Sequence, residues 1–221
     1  MPEIFFEKSP PTTTCMHTQE LYYRLALSLV NGIGPVKYKK LISVFGSAEE
    51  TFRQNFKSLR QSGMLTDGNA AALKSFDDFK LVDRELQYTA DHQIQIRCFD
   101  DENYPQRLAN CVDSPSLLFQ KGDVDLNNQR VLSVIGTRAF TEYGRRMCEE
   151  MIEQLKGYHA VIVSGMAYGI DIIAHKACVK HNIPTVGVLA HGLHMIYPAA
   201  HAPVAKEMLQ QGALLSEYFS H

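Results

Sequence analysis

Apolar positions recur at helical spacing over the first part of the chain and at strand spacing over the rest. Leu21, Leu25 and Leu29 fall four apart with Tyr22 alongside, which predicts an amphipathic helix beginning near His17. The run Asn31-Gly32-Ile33-Gly34-Pro35 stops it, and Pro35 suits the first turn of a second helix. That helix carries Val36, Tyr38, Leu41, Ile42 and Phe45 and ends at Gly46. Ser47, with Glu50 three residues on, reads as a capping box opening a third helix. Further helices are predicted around 68–76 and 78–92. Residues 1–16, which include Ser9-Pro10-Pro11-Thr12-Thr13-Thr14, read as a loose leader, and residues 17–92 as a small all-helical domain.

The period then shortens. Ile94, Ile96 and Cys98 alternate with Gln95 and Arg97, and Leu117-Leu118-Phe119 forms a second short apolar run before Gly122. From Val131 the pattern is regular. Val131-Leu132-Ser133-Val134-Ile135 predicts a buried strand, followed by a helix over 142–156 with Met147, Met151, Ile152 and Leu155 on one face. Strand 160–163, helix 170–180, strand 185–189, a helix near 202–211 and strand 213–216 complete the alternation. Aliphatic strands alternating with amphipathic helices predict right-handed βαβ crossovers. The expected fold over 93–221 is therefore α/β, a Rossmann-like parallel sheet with helices on both faces.

Composition narrows the function classes. The 221 residues carry a net charge of −2 with 45% hydrophobic and 21% charged residues, the profile of an ordinary globular chain. A chain-wide basic field is missing, so any nucleic acid must be held at a local pocket. Cys15, Cys98, Cys111, Cys148 and Cys178 are odd in number and widely spaced, which argues against a disulfide framework and a zinc ribbon. No signal peptide is visible, and no apolar run approaches the ~20 residues of a membrane helix. A cytoplasmic location is expected.

In a sheet of this kind the ligand crevice lies beyond the carboxyl ends of the strands. Strand 131–135 delivers Gly136-Thr137-Arg138 to that edge, and strand 160–163 delivers Ser164-Gly165-Met166-Ala167-Tyr168-Gly169. Glycines there permit an anion to approach backbone N–H groups, helix N-termini add favourable dipoles, and Arg138 offers a bidentate guanidinium. The spacing is not the G-x-G-x-x-G of dinucleotide binders. Asp171 and His175 share a helix face, an arrangement that suits a dipole-complementing carboxylate with a packed imidazole better than a catalytic pair. His191, His194 and His201 lack a cysteine or carboxylate at ligand spacing, so no metal is expected. Phe140 and Tyr143 are candidates for a stacking platform or for core packing. The Asn31–Pro35 turn, with Lys37, Lys39 and Lys40 behind it, resembles the hairpin of a helix-hairpin-helix module, but a tight helix–helix turn with a solvated lysine face accounts for it better, since the two helices need that turn regardless.

Taken in order, Tyr104-Pro105, Ser114-Pro115 through Gly122, Val134-Ile135-Gly136-Thr137-Arg138, Thr141 to Gly144, Val163 through Asp171, Ala174-His175, Gly192-Leu193, Ile196-Tyr197-Pro198 and Leu215-Ser216-Glu217-Tyr218 closely resemble the DNA-processing protein A (DprA, or Smf) family. The resemblance spans about 94–218, and the helical front resembles that family's small N-terminal domain. It implies a protein without catalytic turnover or cofactor that binds single-stranded DNA in natural transformation and helps load the recombinase RecA, commonly as a homodimer. The implied DNA contact is Arg138, with Gly136, Thr137, Ser164 and Gly165 as phosphate-facing backbone. Met166, Tyr168 and Gly169 complete the predicted nucleic-acid site. Tyr168 stands where the family often has a basic residue, and an aromatic there can stack on a base. His194 and His201 replace an acidic residue and an asparagine. The family continues past Ser216-Glu217-Tyr218 with a further DNA-contacting loop and more strands, so this chain, ending at His221, reads as truncated. The rival reading is a nucleotide-processing enzyme of the phosphoribohydrolase type, which needs a Pro-Gly-Gly-x-Gly-Thr stretch that is not present.

Overall fold

A computed structural model describes residues 18–220. The expected leader 1–16, the helix start at His17 and Cys15 lie outside the described residues. Six helices come first: α1 (Thr18–Leu29), α2 (Pro35–Phe45), α3 (Ala48–Arg53), α4 (Phe56–Gln61), α5 (Asp67–Lys74) and α6 (Phe79–Asp91). Strand β1 (Ile94–Cys98), helix α7 (Gln106–Ala109) and strand β2 (Leu117–Gly122) follow. The alternating part is β3 (Val131–Ser133), α8 (Glu142–Gln154), β4 (Val161–Gly165), α9 (Ile170–His181), β5 (Thr185–Leu189), α10 (Ala202–Met208) and β6 (Ala213–Ser216).

Local chemistry explains most boundaries. Pro35 opens α2, and Gly46 closes it at positive φ with its N–H on Ile42 O. Ser47 caps α3 by accepting from Glu50 N, but the reciprocal half of the expected capping box is not made. The Glu50 carboxylate instead takes Arg53 Nη1 at 2.6 Å. Asn55 and Thr66 supply caps that separate α4 from α5, two short helices where periodicity alone showed one.

The six strands form one sheet in the order β1-β2-β6-β5-β4-β3. β3 to β6 are parallel neighbours, as the βαβ pattern predicts, while β2 runs antiparallel to both β1 and β6. Because β3, β4, β5 and β6 are laid down side by side in sequence order, right-handed crossovers place α8, α9 and α10 on the same face. That face carries Val134 and Ile162 under Cys148, Ile152 and Ala174, and Leu189 and Leu214 under Ile172 and Met208. Over β1 and β2 it is covered by the helical front, where Leu25 and Val82 join Cys98 and Phe119 in the same core. The other face, with Leu118, Val161, Val186 and Leu215, is covered by Tyr104, by Leu108 of α7 and by Val124 just beyond β2. Helices thus lie on both faces, unequally.

The helical front keeps its own core of Leu27, Tyr38, Leu41, Leu59 and Leu73. It is also fastened to the sheet by Arg24. The buried guanidinium holds Asp100 Oδ1 and Oδ2 at 2.5 and 2.8 Å and Glu20 Oε1 at 2.9 Å. Burial alone would lower the Arg24 pKa; the Asp100 and Glu20 carboxylates outweigh it and raise the value.

Two expectations are corrected. Strand β3 is not buried: it is the outer edge of the sheet, with Leu132 half-exposed and Ile135, just past its end, 83% exposed. The apolar run 131–135 reads as buried because an edge strand uses the same residue types as a central one. The inward face of α8 also differs, since Met147 and Met151 are 44% and 38% exposed while Cys148 and Ile152 are buried. Methionines one position away from the packed stripe lie about 100° round the helix from it.

Candidate functional site

Parallel pairing of β3 with β4, Ser133 against Val163, brings the two glycine-bearing turns to one edge of the sheet. Val134 N extends the ladder to Val163 O at 2.9 Å, and the buried Ser164 hydroxyl donates to Val134 O at 2.6 Å. The turns then touch. A side chain at Gly169, whose φ is +90°, would fall 2.0 Å from Thr137 O and 2.7 Å from Arg138 Cα. Ile170 N donates to Thr137 O across the same contact at 3.2 Å. A Cβ at Gly136 would meet Ile170 Cβ at 2.5 Å, and one at Gly165 would meet Asp171 Oδ2 at 2.6 Å. The glycines are therefore used first to pack one turn on the other, not to leave an empty cradle.

Of the predicted residues, Gly136, Thr137, Arg138 and Tyr168 reach the surface, Gly165 is partly exposed, and Ser164, Met166 and Gly169 are buried. Arg138 makes no hydrogen bond or ion pair among the described residues. The N–H groups of Gly136, Thr137 and Arg138 likewise find no protein acceptor among them. Helix α9 begins at Gly169 without a side-chain cap, but Asp171 in its first turn already complements the dipole. The unpartnered N–H groups and guanidinium are thus gathered on the 136–138 turn.

Two histidines brace the second turn. His175, fully buried on α9, directs Nε2 to Gly165 O and Nδ1 to Thr185 Oγ1, each at 2.8 Å. A carbonyl only accepts, so Nε2 carries a proton. Burial pushes the His175 pKa down to about 4, leaving the ring neutral at pH 7. His201, also buried, donates from Nδ1 to Met166 O at 2.8 Å, and its ring meets Tyr168 edge-on with centroids 4.8 Å apart. Sequence pattern placed His175 beside Asp171 on a helix face, which holds. Nothing in the pattern marked His201 as a partner of the 164–169 turn, because the contact joins segments 35 residues apart.

The remaining candidates lie elsewhere or are engaged. Lys37 Nζ caps Gly32 O at 2.9 Å and Asn69 Oδ1 at 2.8 Å, and Lys39 Nζ donates to Ser114 Oγ. Lys37 thus braces the hairpin within the helical front, while Lys39 ties α2 to the segment before β2. Arg145 pairs with Glu142 at 3.2 Å and lies over the Phe140 ring, while Tyr143 is solvent-exposed beside them. His191 bonds its neighbour Gly192 O at 2.9 Å, and His201 faces the second turn, so the three histidines do not converge. No helix among the described residues is long and apolar enough to cross a membrane. Burial raises the Cys98 and Cys178 thiols to about 12, so neither is a thiolate at neutral pH.

A βαβ sheet whose parallel strands β3 to β6 carry two apposed turns at their carboxyl edge, one of them bearing an unpaired arginine, defines a Rossmann-like chain. Its sequence says which one. Residues 95–221 match the family model for DNA recombination-mediator protein A, and the chain belongs to this DprA/Smf family. Protein Smf of Synechocystis is 30% identical over 210 residues, covering 92% of this chain and 52% of that protein. Protein Smf of Escherichia coli is 40% identical over 161 residues, covering 72% and 42%. DNA processing protein DprA of Bacillus subtilis is 34% identical over 152 residues, covering 67% and 51%. The chain thus spans about half the length of the curated relatives it matches. Among solved structures, DprA of Streptococcus pneumoniae superposes with a TM-score of 0.69 at 28% identity, covering 91% of this chain and 68% of that one. DprA of Helicobacter pylori, described for its single-stranded DNA binding mode, gives 0.51 at 33% identity over 57% of this chain and 56% of its own.

Proposed function

We propose that this chain binds single-stranded DNA without catalytic turnover, holding a backbone phosphate on the 136–138 turn. Arg138 supplies a charge-assisted contact and the neighbouring backbone N–H groups supply the rest. The observation that carries this reading is the unpartnered Arg138 guanidinium at the junction of the two turns, in a chain of the DprA/Smf family. The H. pylori relative's single-stranded DNA binding mode supports the ligand class. Within that family role the chain acts in the cytoplasm, protects incoming strands during natural transformation and helps load RecA onto them. It acts as a homodimer. His175 and His201 serve as braces, not as acid–base catalysts, since both are committed to main-chain carbonyls.

A gel-shift titration with single- and double-stranded oligonucleotides of the same sequence tests the reading. The single strand is expected to bind more tightly, with affinity falling as salt rises because each neutralised phosphate releases counterions. Equal affinity for the duplex, or none for either, would count against it.

A further inference from the structure

Tyr168 is 53% exposed, yet its ring has a buried partner. Its ring makes a T-shaped contact with the His201 ring, and His201 is itself fixed by the Nδ1–H bond to Met166 O, two residues before Tyr168. The imidazole therefore ties together the main chain of the turn and the ring that the turn presents. One residue further on, Gly169 lies against Arg138 at a distance no side chain could occupy, which places the tyrosine at the Arg138 junction. An exposed aromatic held on a buried support, on a turn packed against the one that carries an unpaired cation, presents two kinds of contact along one edge of the sheet. The guanidinium takes the phosphate and the ring face takes the base.

We propose that Tyr168, positioned by His201, is a base-stacking subsite that gives this chain its preference for unpaired DNA, whereas Arg138 supplies affinity for the sugar–phosphate backbone alone. This rests on the single-stranded DNA reading above and adds the division of labour within the site. A base inside a duplex is already stacked on both sides, so only an unpaired base can lie on the ring. A cation in place of Tyr168 would instead strengthen backbone contact and blunt that discrimination. His201 is a positioning residue, because it touches the tyrosine and the turn.

The test uses fluorescence anisotropy with two oligonucleotides of equal length and charge, oligo-dT and an abasic strand lacking bases. Tyr168→Ala is expected to weaken oligo-dT binding by about 5- to 150-fold, the range for one stacked base, while leaving the abasic strand unchanged. Tyr168→Phe, which keeps the ring, restores oligo-dT binding. His201→Ala lowers oligo-dT affinity in the same direction and also spares the abasic strand. Arg138→Ala weakens both strands. Equal losses on the two strands for Tyr168→Ala, or no loss on either, would overturn the stacking subsite while leaving the Arg138 site standing. Absence of binding to both strands by the unsubstituted chain would overturn the DNA reading together with the subsite.

Discussion

Gly169 is where the two turns are locked together, and replacing it with alanine isolates that contact. The residue sits at φ +90°, a conformation that costs an L-residue about 1–2 kcal/mol. The added methyl would also lie 2.0 Å from Thr137 O and 2.7 Å from Arg138 Cα, both backbone atoms that cannot rotate away. Overpacking of this kind costs a further ~1–3 kcal/mol, so the sum is roughly 2–5 kcal/mol. For a chain of this size each kcal/mol lowers Tm by about 2–4 °C, which gives a loss of roughly 4–20 °C by differential scanning calorimetry. Because relief requires the 136–138 turn to move, oligonucleotide affinity is expected to fall in the fraction that remains folded. A Gly169→Ala chain with unchanged Tm and unchanged binding would show that the turns are not packed as described.

Acid sensitivity follows from His175. Its pKa is lowered from 6.5 to about 4, so the folded state binds this proton less readily than the unfolded state. The stability it protects is fully present above pH 6.5 and is lost as pH falls toward 4, by roughly 3 kcal/mol in all. Urea titrations over that window should show the slope, and His175→Gln should lose most of it; an identical slope in the variant would contradict the assignment. Arg24→Ala removes the buried partner of Asp100 and Glu20 and is expected to cost about 2–3 kcal/mol, below the range for a fully buried pair because Asp100 is partly exposed. Chemical denaturation that shows no shift would mean the helical front is not fastened there. Incubation with nucleoside monophosphates, followed by chromatography, should release no base; any release would favour the nucleotide-hydrolase reading.

The alternation of β-branched strands with amphipathic helices was legible because each element repeats its period within one short segment. β5 and β6 fall at 185–189 and 213–216, as their apolar runs indicate. Strand order is a property of the whole sheet, so nothing within 131–135 distinguishes an edge position from a central one. The same gap explains Met147 and Met151. Their apolar character marks α8 as amphipathic, but which side meets the sheet depends on where β3 stands. Short pieces such as α4 and α7 are too brief to set up a period of their own. At the site, Arg138 and the glycines stand out because strand ends and turn residues are readable from sequence. The His201 support of Tyr168 depends on a contact between distant segments. The sequence pattern reads the glycines as room for an anion, whereas in the fold the groups that approach Gly136, Gly165 and Gly169 are Ile170, Asp171 and the Thr137–Arg138 backbone.

The central claim is that Arg138 holds a DNA phosphate at the junction of the two turns. The most direct test compares oligo-dT affinity of the unsubstituted chain and Arg138→Ala by fluorescence anisotropy, at two salt concentrations. Loss of a charge-assisted hydrogen bond predicts a weakening of about 1.5–3 kcal/mol and a shallower salt dependence, because one fewer phosphate is neutralised. Unchanged affinity with an unchanged salt slope would contradict the account.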